Sequence, residues 1–259
     1  VSAALVTGAG GRLGRAMAIA LAGRGLNVAV HYASSHEGAK DTAAACEALG
    51  VNAVTLKADL LDPQAVESLV PAATQALGGP LDVLVNNASI FNYDTFEDAT
   101  PESWDQHIGS NLRAPFFLTQ AFAEQAPEPV PDDRGEPVAQ ALVVNMLDQR
   151  VKKLTPHFAT YTIAKMGLWA MTQTAARALA PKVRVNGIGP GPTLQGAHQA
   201  DDDFAYQRDN TVLKRGSDPE DITGALLYFL DAKAVSGQML AVDGGQHLGW
   251  KTPEIRNVD

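Results

Sequence analysis

The chain has 259 residues, 46% of them hydrophobic, which is enough for one large α/β core without requiring a second domain. Its formal net charge of -9 argues against a nucleic-acid partner or an anionic membrane surface, although a local basic pocket for a phosphate is still allowed. The lone Cys46 excludes an intramolecular disulfide and a cysteine-based zinc site, and no apolar run approaches the ~20 residues of a membrane span.

The sequence enters an apolar strand at once, Ala3 to Thr7, with no basic signal-type segment before it, so a reducing cytoplasm is the expected compartment. A glycine-rich turn follows, Thr7-Gly8-Ala9-Gly10-Gly11-Arg12-Leu13-Gly14, and leads into a helix through Ala16 to Leu21 that Gly25 ends. Glycines let a backbone turn tightly and come close to a pyrophosphate, while a helix N-terminus offers free N–H groups and a favourable dipole. The usual dinucleotide fingerprint is not met, because Leu13 stands where its last glycine would be. An ordinary strand-to-helix turn remains the alternative, but its place after the first strand favours a nucleotide.

The second strand, Asn27 to Tyr32, runs into Ala33-Ser34-Ser35. An NAD site usually presents a carboxylate here for the ribose 2′-hydroxyl, and no acid appears before Glu37. That absence favours NADP(H). Arg12 is a candidate partner for the 2′-phosphate, with hydrogen bonds from His31, Ser34 or Ser35.

Further strands are expected at Ala53–Leu56, Asp82–Val85, Ala141–Asn145, Arg184–Ile188 and Gln238–Val242, with helical stretches between. This alternation predicts a doubly wound, Rossmann-type parallel sheet of about seven strands in a three-layer α/β/α arrangement, one domain over residues 1–259. Glu124 to Glu136, rich in proline and acid, reads as a solvated loop. Pro190 to Lys214 reads as an irregular stretch at a strand end, a candidate substrate loop.

Tyr161 and Lys165 lie one helical turn apart and leave the same helix face. An unperturbed tyrosine has a pKa of about 10, and a neighbouring ammonium lowers it, which makes the pair a candidate general acid. His36, His107, His157, His198 and His247 show no metal-ligand spacing, so no metal is expected. Trp104, Trp169 and Trp250 read as packing or subunit-contact residues.

The glycine turn, Asp59, Asn86-Asn87-Ala88, Asn111, Tyr161-x-x-x-Lys165 and Pro190-Gly191 together make the chain resemble the short-chain dehydrogenase/reductase family over essentially its whole length. In detail it is similar to the pteridine and dihydromonapterin reductase branch. Arg12 stands in place of the turn's middle glycine, His31-Tyr32 closes the second strand, and Ser89 and Phe91 match the pterin-contact segment. Asp148 stands thirteen residues before Tyr161, where the wider family has serine. The branch's arginine just after His-Tyr is replaced by Ala33 and Ser34, and Thr193 is displaced relative to the family's threonine.

The resemblance implies that Tyr161 donates a proton, that Lys165 holds the nicotinamide ribose and depresses the tyrosine pKa, and that Asn111 supports Lys165 through water. It implies cofactor contacts from Gly8, Arg12, Leu13, Gly14, His31, Tyr32, Ser34, Ser35, Asp59, Leu60, Asn87, Ala88, Ser89, Lys165, Pro190 and Gly191. Substrate contacts would come from Ser89, Phe91, Asp148 and Tyr161, with Phe91 either stacked on a flat ring or part of the core. A homotetramer is implied as well. An ionised Asp148 accepts hydrogen bonds only, which suits an N–H-rich heterocycle better than a ketone. Three functions therefore stand open: an NADPH-dependent reductase of a pterin or dihydropteridine C=N bond, a carbonyl reductase of 3-oxoacyl or other ketones, and a non-catalytic NADP-binding sensor or scaffold.

Overall fold

The computed structural model describes residues 2–195 and 200–250, so His198 lies outside the described residues. Seven parallel strands form one sheet: β1 (Ala3–Val6), β2 (Asn27–Tyr32), β3 (Ala53–Lys57), β4 (Val83–Asn86), β7 (Ala141–Met146), β8 (Val183–Pro190) and β9 (Met239–Val242). Their order is β3-β2-β1-β4-β7-β8-β9. A separate two-residue hairpin pairs β5 (Val130–Pro131) with β6 (Pro137–Val138).

The central strands are buried on both faces because most of their residues are apolar. In β1, Ala4 and Val6 point into one core with Met17, Leu21 and Phe229. Ala3 and Leu5 point into the other with Leu69, Leu118 and Phe122. This two-residue alternation feeds two helical layers. The first layer holds α1 (Arg12–Ala22), α2 (His36–Glu47) and α8 (Pro219–Asp231). The second holds α3 (Pro63–Leu77), α5 (Ala114–Gln125) and α6 (Ala159–Ala178). The chain leaves β1 for β2 on one side, and β4 lies on the other. The carboxyl ends of β1 and β4 therefore flank the crevice where open α/β sheets bind ligands.

Two expected loops carry regular structure. Within Glu124 to Glu136, the Asp132 carboxylate accepts from Arg134 N and Glu136 N and turns the chain into the β5–β6 hairpin. Within Pro190 to Lys214, Asp201–Asp209 form a helix, α7, that buries no residue. Its first turn holds Asp201, Asp202 and Asp203, where negative charge complements the helix dipole. A short helix, α4 (Pro101–Ile108), runs into α5 through a five-residue π-helical segment, Gly109–Arg113.

Candidate active site

Tyr161 and Lys165 sit on the first turns of α6, against the end of β7. The Tyr161 hydroxyl donates to Asp148 Oδ2 at 2.9 Å. Asp148 is fixed in turn, since its Oδ1 accepts from Arg150 N at 2.8 Å and caps a short turn after the strand. Lys165 Nζ donates to Met146 O at 2.7 Å and lies 5.5 Å from the Tyr161 ring centre. Burial lowers the Lys165 pKa to about 8, with the Asp148 charge opposing. Tyr161 moves the other way: burial, then the charge of Asp148 and the bond to it, hold its pKa well above the ordinary value. The expected depression by Lys165 is thus corrected. A phenol in this environment keeps its proton, and Asp148 holds that proton in a defined direction.

Asn111 lies in the π-helical segment, a distortion common at functional sites. Its side chain accepts from Ile90 N at 2.9 Å and donates to Ile90 O at 2.8 Å. It therefore fixes the loop after β4 that carries Ser89 and Phe91. Phe91 is 49% exposed, not a core residue. One of its faces is already stacked on Phe158 at 4.3 Å and 5°, and it meets Tyr161 edge to face at 4.7 Å.

Sequence reasoning missed a buried network beneath Tyr161. Asp94 accepts from Thr160 N at 3.1 Å, from Ser103 Oγ at 3.0 Å and from Thr160 Oγ1. His107 Nε2 accepts from Asn92 N at 3.1 Å, which leaves Nδ1 to donate to Thr160 Oγ1 at 2.7 Å. Its members come from three separate segments, Asp94 before α4, Ser103 and His107 on α4 and Thr160 on α6, so no local spacing announced it. Arg150 was missed too. It packs 4.8 Å from the Phe158 ring centre and 5.5 Å from that of Phe91.

The glycine turn forms a cradle. At Gly14 an added Cβ would fall 2.3 Å from Gly8 O, and at Gly8 it would fall 2.9 Å from Ala88 Cα. At Gly11 it would meet nothing within 4 Å, so the turn is open there and closed elsewhere. Thr7 Oγ1 accepts from Asn87 N and Ala88 N, each at 2.9 Å. Asn87 Nδ2 returns bonds to Thr7 O at 2.8 Å and Gly8 O at 3.2 Å. These bonds bring the turn and Asn87-Ala88-Ser89 together across the β1–β4 crevice. On the far side, Gly191 N donates to Val242 O at 3.0 Å, and an added Cβ there would fall 2.6 Å from Asp243 Cα. Thr193 is bonded to Ser217 Oγ and to Gly191 O, not turned outward. A bare, open turn at a helix N-terminus, with Lys165 and Pro190-Gly191 beyond it, fits a dinucleotide laid along this edge.

Other expected cofactor residues are placed differently from one another. His31 is buried: its Nδ1 accepts from Gly8 N at 3.0 Å, so its Nε2 donates to Ala58 O at 3.1 Å. Both nitrogens are used to hold the turn, and as placed it has no donor left for a 2′-phosphate. Arg12 has a left-handed φ of 50° and donates to Gln195 O and Leu194 O at 3.0 and 3.2 Å. Its guanidinium is held by these two carbonyls in the stretch that follows β8. Ser35 Oγ donates to Gly10 O at 3.1 Å, Tyr32 Oη bonds His36 Nδ1 at 2.7 Å, and Ser34 is exposed. Asp59 accepts from Leu61 N at 2.9 Å, Leu60 is buried, and Leu13 packs on the core.

Residues 8–247 match the family model described as enoyl-(acyl carrier protein) reductase. The chain belongs to the short-chain dehydrogenase/reductase family. It is 33% identical over 254 residues to the L-rhamnose 1-dehydrogenase (NAD(P)(+)) of a Sphingomonas species, covering 94% of this chain and 95% of that one. It is 31% identical over 250 residues to the 3-oxoacyl-[acyl-carrier-protein] reductase FabG of Staphylococcus aureus, covering 95% and 98%. Among solved structures, it is similar to FolM alternative dihydrofolate reductase 1 from Brucella suis in complex with NADP. That match has a TM-score of 0.90 and 39% identity over 98% of each chain. As a family member the chain is an oxidoreductase, and these relatives act on chemically different substrates.

Proposed function

We propose that the chain is an NADPH-dependent reductase of a pterin or dihydropteridine C=N bond. NADPH, when bound, supplies the hydride. The chain's own residues hold the substrate and move the proton: Tyr161 donates it, and Lys165 fixes the nicotinamide ribose. The observation that carries the reading is the bond from Tyr161 to Asp148. Where the family's serine would donate to a carbonyl, this site presents an acceptor suited to substrate N–H groups. The likeness to a dihydrofolate reductase crystallised with NADP supports the same reading. The chain is read as one domain and a homotetramer, acting in the cytoplasm.

Ketone reduction is the second reading, favoured by the 31% identity to a 3-oxoacyl reductase. The intact Tyr161, Lys165 and Asn111 speak against a non-catalytic sensor. The test is NADPH oxidation with dihydrobiopterin, dihydrofolate and acetoacetyl thioester offered separately. The expected result is turnover with a dihydropterin. Turnover with the thioester alone replaces this reading with the second.

A further inference from the structure

The geometry points to Arg150 as a specificity-determining residue, whose guanidinium receives an acceptor oxygen on a planar substrate. The inference rests on Tyr161 being the reductase centre. Arg150 Nη1 reaches Asp148 Oδ2, the oxygen that also accepts from Tyr161, at a long 3.4 Å. That is the one hydrogen bond its side chain makes among the described residues, the backbone being bonded to Asp148 and Lys153; Nε is buried and unbonded. A guanidinium has five donors and no acceptor, and a buried donor without a partner is uncommon.

The surroundings define what fills the gap. The guanidinium lies 4.8 Å from the Phe158 ring centre and 5.5 Å from that of Phe91, so apolar faces hold it without using its N–H groups. Phe91 also touches the Tyr161 ring, which places Arg150 across one aromatic from the proton donor. An oxygen seated there belongs to the same flat molecule that Tyr161 protonates. Asp148 and Arg150 together offer an acceptor beside a donor, the pattern that pairs with a ring N–H next to a ring C=O. A heterocycle with an amide-type edge is therefore the substrate class that uses both residues.

The test compares 7,8-dihydrobiopterin, which carries the ring oxygen, with its 4-amino counterpart, where a donor replaces it. The parent should prefer the oxo compound about tenfold or more in kcat/KM, in line with one charge-assisted hydrogen bond. Arg150→Met should bring that preference close to parity, mainly through KM for the oxo compound. Arg150→Lys should restore part of it, while NADPH affinity and melting temperature show that each variant folds. A preference that survives in Arg150→Met, or that the parent never shows, overturns the inference. If the parent reduces neither pteridine, the pteridine reading falls, and the same enzymes are assayed on ethyl acetoacetate against 2-pentanone. Loss of a preference for the ketoester in Arg150→Met then upholds the role of Arg150 alone. Equal losses on both ketones, or a parent inactive on all four compounds, overturn it.

Discussion

Tyr161 and Asp148, thirteen residues apart, meet through a 2.9 Å hydrogen bond in which the phenol donates and the carboxylate accepts. The bond joins the start of α6 to the end of β7 and sets where the acidic proton points. It also raises the Tyr161 pKa, in the same direction as burial. The carboxylate thus favours the protonated phenol, the state the proposed general acid needs.

Removing the hydroxyl alone should stop the reaction. Tyr161→Phe keeps the ring contact with Phe91 and should lower turnover by ~10²-fold or more, with NADPH affinity preserved. Asp148→Ser removes the negative charge, lowers the Tyr161 pKa and restores the family's donor. Dihydropterin kcat/KM should fall at least tenfold while activity on acetoacetyl thioester rises. Unchanged dihydropterin kinetics in Asp148→Ser would refute the role given to the carboxylate.

Lys165 gives the site a pH limit. Its pKa of about 8 in the folded protein lies below the ordinary 10.5, because burial disfavours the ammonium. The unfolded chain therefore binds this proton more tightly, and Lys165 costs the cofactor-free protein stability below pH 8. That cost, about 3 kcal/mol at about 1.4 kcal/mol per tenfold, is relieved as the pH rises from about 8 to 10.5. The ammonium that would hold the ribose is half lost at about pH 8 and falls about tenfold for each pH unit above it. We expect kcat/KM for NADPH to fall above pH 8 and the fall to move beyond pH 10 in Lys165→Arg. A limb at the same pH in both enzymes would assign it to another group.

The strands were legible because each is an apolar run bounded by glycine, asparagine or proline. Asn27–Tyr32 matches residue for residue, and the other strands shift by one or two residues at one or both ends, as Arg184–Ile188 does within Val183–Pro190. The hairpin of β5 and β6 was not legible, since two-residue strands rich in proline carry no periodicity. The spacing of Asp148, Tyr161 and Lys165 was enough to expect them together, and the structure brings them together. The hydrogen-bond partners of Arg12 and His31 were not legible, because sequence gives a side chain's type but not its direction. His31 stands near the end of an apolar strand whether it faces a ligand or the Gly8 amide, and the Ala58 carbonyl that takes its other nitrogen decides.

The cradle predicts two different defects for two glycines. Alanine at Gly14 would drive a Cβ into the Gly8 carbonyl and the Asn87 amide, so the backbone must move. Gly14→Ala should lower the melting temperature by several degrees, as expected for a loss of 1–3 kcal/mol from overpacking. Gly11 has open space around it and an extended φ of 172°, which any residue adopts. Gly11→Ala should melt with the parent yet bind NADPH at least tenfold more weakly, because its methyl fills the face left bare for phosphate. Paired calorimetry and fluorescence titration separate the two, and equal melting temperatures in both variants would contradict the geometry.

His31 makes the same turn sensitive to acid. Its Nδ1 must be unprotonated to accept from Gly8 N, and burial lowers its pKa below the ordinary 6.5. In the unfolded chain the imidazole takes up a proton near pH 6.5, while in the folded protein it stays neutral to lower pH. The unfolded state binds more protons in that window, so stability is present above pH 6.5 and is lost as the pH falls toward the folded value. One such group contributes a slope of up to about 1.4 kcal/mol per pH unit. His107 adds a slope of the same sign, since burial lowers its pKa as well. Urea unfolding of the cofactor-free protein at pH 7.0, 6.0 and 5.0 should show this loss. His31→Gln, whose side-chain oxygen can still accept from Gly8 N without titrating, should be less stable than the parent at pH 7.0 but lose less on acidification. The slope it keeps belongs to His107 and the carboxylates. A parent and a His31→Gln variant with parallel stability profiles from pH 7.0 to 5.0 would show that the turn does not depend on this imidazole being neutral.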